Sequence, residues 1–94
     1  MTPIHPGEVL QEEFLEPLEM TPYKLAQAIG VTAPRIYDVV AGKRAISTDT
    51  ALRLSRFFGT SERFWLNLQV RYDLEVEKDR SGESIEREVQ PLAK

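Results

Sequence analysis

Cysteine is absent from this 94-residue sequence, and histidine occurs only once. Disulfide frameworks and thiolate metal sites are therefore excluded, and one histidine among scattered carboxylates is a poor basis for a metal centre. The sequence has no apolar run near the roughly 20 residues that a membrane span requires, and no signal-peptide pattern at its start. We expect a soluble cytoplasmic protein without a metal, a cofactor or a membrane contact.

Catalytic patterns are missing as well. The sequence contains no glycine-rich phosphate loop and no nucleophile paired with a base. His5 stands beside Pro6 and Gly7 without a fixed carboxylate partner, so we interpret it as a residue at the start of a helix or on the surface. The acids that recur from Glu8 to Glu16 are typical of a solvated helix face. Nothing in the sequence favours an enzyme.

Negative charge exceeds positive charge overall, but the middle of the chain has a net positive charge. The net charge of −3 and the pI near 5.2 argue against a dedicated nucleic-acid-binding domain, since such domains often have a pI above about 9. Residues 1–30 and 61–94 carry −4 and −2, whereas residues 31–60 carry +3. The middle segment is therefore a local basic patch.

Helix signals recur along the chain, and no sustained alternation of polar and apolar residues indicates a strand. We therefore predict an all-α domain of five helices. The last four helices are predicted to begin after caps at Thr21, Thr32, Ser47 and Thr60 or Ser61, and the stops between them are Gly30, Gly42 and Gly59. The five helices then cover about residues 7–16, 22–29 and 33–41, the segment from Ser47 to Gly59, and a last segment that reaches about Lys78. The polar residues 79–83 predict a break. We divide the chain into a DNA-binding domain, 1–78, and a charged flexible tail, 79–94.

The second and third helices, within residues 21–42, fit a helix-turn-helix unit joined by Gly30, Val31 and Thr32. The small Ala26 allows a close crossing, and Ile36 with Val39 anchors the third helix from beneath. The remaining face points outward and can enter the major groove. The candidate DNA-binding residues on this face and after it are Thr32, Ala33, Pro34, Arg35, Tyr37, Asp38, Lys43 and Arg44.

Alternative roles exist for the basic side chains of this region and for Tyr37. Arg35 either reads a guanine through a bidentate contact or binds a phosphate, or it merely solubilises an exposed face. Lys43 and Arg44 bind phosphate or complement the dipole at the helix end. Tyr37 packs locally or reaches a phosphate. Arg53 and Arg56, on the fourth helix, are interpreted as solvated.

The apolar side chains of the fifth helix divide into two arcs at about 100° per residue. Phe64, Trp65, Leu68 and Tyr72 share the arc that we assign to the core, although the two arcs can be exchanged. Leu66, Val70 and Leu74 lie opposite, which is more apolar surface than a helix facing water normally shows. We assign this second arc to a homodimer interface.

Several motifs together carry a family resemblance. The residues from Thr21 to Thr32 resemble the phage-repressor-like helix-turn-helix family. Over about residues 4–75, the sequence is similar to the HigA-type antitoxins of bacterial toxin–antitoxin modules in the motifs His5-Pro6-Gly7-Glu8, Gly42-Lys43-Arg44, Asp49-Thr50-Ala51-Leu52-Arg53-Leu54 and Phe64-Trp65-Leu66-Asn67-Leu68-Gln69.

The resemblance implies a dimeric antitoxin that binds a small ribosome-dependent mRNA-cleaving toxin and represses its own operon by binding operator DNA. Two residues depart from the usual pattern, because Pro34 and Asp38 stand where hydrogen-bond donors are more common; Pro34 offers only apolar contacts. Alternative interpretations are a free-standing repressor without a toxin and a helical interaction module that no longer binds DNA.

Overall fold

Polar side chains start four of the helices by accepting a backbone N–H of the first turn. The computed structural model describes residues 2–93. His5 accepts through Nδ1 from Gly7 at 2.9 Å, and Thr21 accepts through its hydroxyl from Lys24 at 3.1 Å. Ser47 and Ser61 accept from Thr50 and Phe64 at 3.2 and 3.1 Å. Thr32 is the N-cap residue of the third helix by position, but its side chain makes no capping bond there.

The architecture is all-α, as predicted. The helices are α1 (Pro6–Val9), which a π-helical segment continues (Leu10–Leu15), α2 (Pro22–Ile29), α3 (Ala33–Val40), α4 (Thr48–Phe58) and α5 (Glu62–Glu88). Gly30, Gly42 and Gly59, which follow α2, α3 and α4, all have positive φ. Between residues 2 and 93 there is no strand, and no helix there is long and apolar enough to cross a membrane.

Trp65 lies at the centre of the core and is fully buried. Its indole N–H donates to the Thr60 hydroxyl at 2.8 Å, so its one polar atom is satisfied. The ring of Phe14, from the π-helical segment, lies 4.9 Å from the Trp65 ring and 4.8 Å from that of Phe58. Around this cluster pack the other fully buried apolar side chains, Leu10, Leu15, Leu25, Ile36, Val39, Ala51 and Leu54.

Gly7 allows α1 to cross the end of α3 in direct backbone contact. A Cβ added at Gly7 would lie 1.9 Å from the carbonyl oxygen of Val39, which is far inside van der Waals contact. His5, at the same crossing, is buried and packs edge-on against Tyr72 of α5, with ring centroids 4.8 Å apart. Burial lowers the pKa of His5, against the opposite effect of Glu8 and Asp73. The neutral imidazole suits the structure, because only it can accept the Gly7 N–H.

Gln69 connects α5 to the segment that precedes α4, a contact that the sequence did not indicate. Its side chain is buried, and its Oε1 accepts the backbone N–H of Ile46 at 2.8 Å. Its Nε2 donates to Asp73 at 2.9 Å. Since a buried N–H without a partner is costly, Gln69 fixes the path of the chain between α3 and α4.

The predicted end of the fifth helix near Lys78 is wrong, because α5 continues through Ser81 and Gly82 to Glu88. Ser81 donates to the Glu77 carbonyl at 3.1 Å, and Arg80 pairs with the Glu77 carboxylate. Such hydrogen bonds and ion pairs between neighbouring turns offset the modest free-energy cost of a glycine inside a helix. This extension lengthens the molecule to 53 × 24 × 22 Å. The division of the chain at residues 78 and 79 remains a prediction.

We predict that Gly7→Ala destabilises the protein by about 1–3 kcal/mol or more, because α1 must move away from Val39. Gly82→Ala is the matched control. A Cβ there would meet only Lys78 Cβ at 3.9 Å, so it should stabilise α5 by about 0.5–1 kcal/mol. Urea unfolding at a fixed protein concentration measures both. Equal free energies of unfolding for Gly7→Ala and the parent protein would contradict the contact.

Candidate nucleic-acid interface

The turn between α2 and α3 depends on Gly30, which adopts the left-handed conformation with φ 74° and ψ 36°. This geometry ends α2 and directs the Val31 N–H to the Ala26 carbonyl at 3.0 Å. A carbonyl at the helix end is thereby satisfied, as in other glycine-terminated helices. The chain then enters α3 after only two further residues, which gives the helix-turn-helix arrangement.

Packing on one side of α3 determines which side faces outward. Ile36 and Val39 are fully buried, and Ala26 of α2 is only 2% exposed at the crossing. Pro34 and Tyr37 are exposed on the opposite side, and Tyr37 retains 49% of its accessible surface. Of the other candidates before Lys43, Thr32 is exposed, Arg35 and Asp38 are half-buried, and Ala33 packs partly against the core.

Arg35, the predicted base reader, is held by an acidic partner on another helix. Its Nη1 donates to Asp49 Oδ2 at 2.9 Å, and its side chain is 33% exposed. The same carboxylate oxygen accepts Nε of Arg53 at 2.9 Å. These two arginines lower the pKa of Asp49, with the hydrogen bond from Arg53 as the largest cause. Asp49 is therefore a shared acceptor beside the outward face of α3.

The interpretation of Arg53 as merely solvated is wrong. Its Nη1 donates to the carbonyl of Ile29, the last residue of α2, at 2.8 Å, and lies 3.5 Å from that of Gly30. Carbonyls at a helix end lack partners within the helix, so Arg53 caps α2 from α4. The spacing of Asp49 and Arg53 predicts a contact along one helix, but no local signal indicates the bond to Ile29.

Lys43 and Arg44 follow α3 in a tight turn at Gly42, whose φ is 77°. Both backbone N–H groups donate to the Asp38 carbonyl, at 2.8 and 3.2 Å. The Arg44 guanidinium lies 3.9 Å from the Asp38 carboxylate, a loose and exposed pair. The turn therefore presents two exposed basic side chains beside the end of α3.

The candidate dimer residues of α5 differ in exposure. Val70 and Leu74 are 55% and 54% exposed, whereas Leu66 packs partly against the core. On the other arc, Trp65 is buried, Leu68 and Tyr72 are half-buried, and Phe64 is 36% exposed. The assigned core side is thus buried at Trp65 and partly buried at Leu68 and Tyr72, whereas Phe64 is exposed and Leu66 of the other arc also packs partly against the core.

The described part of the chain contains no candidate metal site. Between residues 2 and 93, no three carboxylate or imidazole side chains are grouped so that they could hold a metal ion. His5, the single histidine, already accepts a backbone N–H through Nδ1. The outward face of α3 presents apolar, hydrogen-bonding and charged side chains, at Pro34, Tyr37 and Arg35 among others.

Comparisons with known proteins agree with this geometry. The model of the helix-turn-helix family matches residues 12–65. Virulence-associated protein I of Dichelobacter nodosus is 45% identical over 86 residues, 90% of this chain and 80% of that protein. Antitoxin HigA-1 of Vibrio cholerae is 34% identical over 90 residues, 96% of this chain and 84% of that protein. The solved structure of the Pseudomonas aeruginosa antitoxin HigA with the higBA promoter superposes with a TM-score of 0.95, at 47% identity, over 97% of this chain and 99% of that one.

Proposed function

The chain belongs to the helix-turn-helix family and, within it, to the HigA-type antitoxins, and from this we propose how it binds DNA and its partners. It acts as an antitoxin and autorepressor and not as an enzyme. It binds the operator of its own operon through α3 and neutralises a cognate mRNA-cleaving toxin. The observation that carries the proposal is the outward face of α3. It belongs to a chain that superposes over 97% of its length, with a TM-score of 0.95, on a HigA that has been solved with its promoter.

The proposed contacts fall into two classes, since base contacts give specificity and phosphate contacts give position. Arg35, near the start of α3, donates to guanine O6 and N7 in the major groove. Pro34 offers an apolar surface to a thymine methyl, and the Tyr37 hydroxyl reaches a phosphate. Lys43 and Arg44 lie after the helix, where they bind phosphates. Thr32, Ala33 and Asp38 complete the surface that faces the duplex.

We predict that Arg35→Ala lowers operator affinity by about 1–3 kcal/mol and relaxes specificity at one base pair, whereas Lys43→Ala weakens binding to all sequences alike. Lys43→Ala should also reduce the dependence of affinity on salt, because it removes one phosphate contact. Competition binding at fixed salt measures both, using the DNA upstream of the gene and a duplex for each base-pair change. Equal losses on every duplex for both variants would refute the assignment of Arg35.

A homodimer is the proposed DNA-binding form, because one short helix contacts too few bases for strong specificity. Two-fold symmetry places the second recognition helix about 34–36 Å away, one turn of DNA further along an inverted repeat. On α5, Val70 and Leu74 lie one turn apart, and Ile85, 50% exposed, falls on the same side at helical spacing. This stripe, with Leu66 at its inner end, supports an interface formed by two copies of α5.

We expect Val70→Glu to shift the protein from dimer to monomer, because it places a charge in an apolar interface. Operator affinity should fall with dimerisation, while helix content stays the same. Val76→Glu introduces the same group on the opposite side of α5, at a residue that is 37% exposed, and should leave the dimer intact. Sedimentation, circular dichroism and operator binding test both variants. A Val70→Glu dimer with unchanged operator affinity would exclude this interface.

The proposed toxin contact lies on the acidic flanks of the chain, whose charge complements a basic RNA-cleaving protein. Glu12, Glu13 and Glu16 are exposed on and just after the π-helical segment. A second acidic group, Glu83, Glu86 and Glu88, is exposed at the end of α5. Each group can be neutralised by glutamine without shortening a helix, which separates the effect of charge from that of deletion.

We predict that glutamine substitution of one of these two groups weakens binding of the small basic protein encoded beside this gene and reduces rescue of growth. Operator binding by the same variants serves as the control for folding. Normal toxin binding by both triple variants would contradict the role of the acidic flanks. A gene neighbourhood without a small basic reading frame would instead favour the free-standing repressor.

A further inference from the structure

Asp49, in the first turn of α4, is bonded to arginines on two helices. One oxygen, Oδ2, accepts from Arg35 on α3 and from Arg53 on α4, both at 2.9 Å. Arg53 is itself bonded to the Ile29 carbonyl at the end of α2, at 2.8 Å. A single exposed carboxylate therefore connects Arg35 of α3 to α4 directly and to α2 through Arg53.

The position of Asp49 is fixed independently of Arg35. It lies in the first turn of α4, where the positive end of the helix dipole favours a carboxylate. The pair with Arg53 spans one turn of the same helix and is anchored at its far end on α2. Asp49 thus has a second partner besides Arg35, and that partner favours the orientation of the carboxylate in which it accepts from Arg35.

Asp49 uses one of the five N–H donors of Arg35, at Nη1. A guanidinium is planar, so fixing one corner restricts the direction in which the remaining donors point. Bidentate recognition of guanine needs two of those donors in one plane. We infer that Asp49 is a positioning residue for base recognition, which holds the Arg35 guanidinium so that its free donors face the major groove. This inference rests on the proposed base contact of Arg35.

Two properties of Asp49 separate positioning from stabilisation of the fold. Its side chain is 57% exposed, and exposed ion pairs add little to stability, so loss of the carboxylate should leave the fold nearly unchanged. The negative charge also opposes phosphate binding. Removal of the charge should therefore strengthen binding to random DNA while it weakens discrimination at the base pair that Arg35 reads.

The test compares Asp49→Asn and Asp49→Ala with the parent protein on the DNA upstream of the gene, on its single base-pair variants and on a random-sequence duplex. We expect Arg35→Ala to identify one base pair by a loss of discrimination of roughly 5-fold or more. Each Asp49 variant should lose at least about two-fold at that same base pair and bind the random duplex at least as tightly as the parent. Thermal unfolding of each variant checks the fold.

Two comparisons identify the cause. In the Arg35→Ala background, Asp49→Asn should have no further effect on discrimination, because the oriented group is gone. Asp38→Asn removes a charge that pairs only loosely with Arg44, so any loss of discrimination in that variant should fall at a different base pair.

Unchanged discrimination by both Asp49 variants at the Arg35 base pair would overturn the inference alone. An equal loss with and without Arg35 would overturn it too. If Arg35→Ala relaxes specificity at no base pair, the proposed base contact is wrong and the inference that rests on it is wrong as well.

Discussion

Burial of Ile36 and Val39 against the core sets the rotation of α3 about its axis, and the surface that faces DNA depends on this rotation. Side chains on the opposite side of α3 must then point to solvent. Two close approaches hold the helix in this orientation, at Ala26 of α2 and where Gly7 meets the Val39 carbonyl. Turning α3 would expose buried apolar surface, so the apolar side chains under the helix determine which polar ones are presented.

Charge on the basic middle segment is divided among distinct tasks. Arg53 contributes to the framework, because it caps α2 and binds Asp49. Lys43 and Arg44 are exposed after a turn whose backbone is satisfied by the Asp38 carbonyl. Arg35 is intermediate between these two cases, because its side chain is half-buried and paired with Asp49. A net charge of −3 for the whole chain is compatible with a DNA-binding face, since what matters to the duplex is the arrangement of these few cations.

The long α5 combines two different surfaces. Its first turns complete the core through Trp65 and fix the segment before α4 through Gln69. Its later turns extend beyond the body of the protein, and they carry exposed apolar side chains at Leu74 and Ile85 on one side. A helix that only covered the core would not need this length, which is why we assign the extension to association.

The sequence by itself determined the boundaries of α2, α3 and α4 and the buried side of α3. Caps such as Thr21 and Ser47 and the stop at Gly30 act within a few residues, so their physical cause is contained in the local sequence. The end of α5 was misplaced, because polar residues and a glycine lower helix propensity without ending a helix whose own side chains bond along it.

Only the tertiary structure decided the role of Arg53, the partner of Arg35 and the burial of Gln69. Arg53 reaches a carbonyl 24 residues away and Gln69 a backbone N–H 23 residues away. Helix packing determines these partners, because a long polar side chain bonds to a donor or acceptor that the packing leaves without another hydrogen-bond partner.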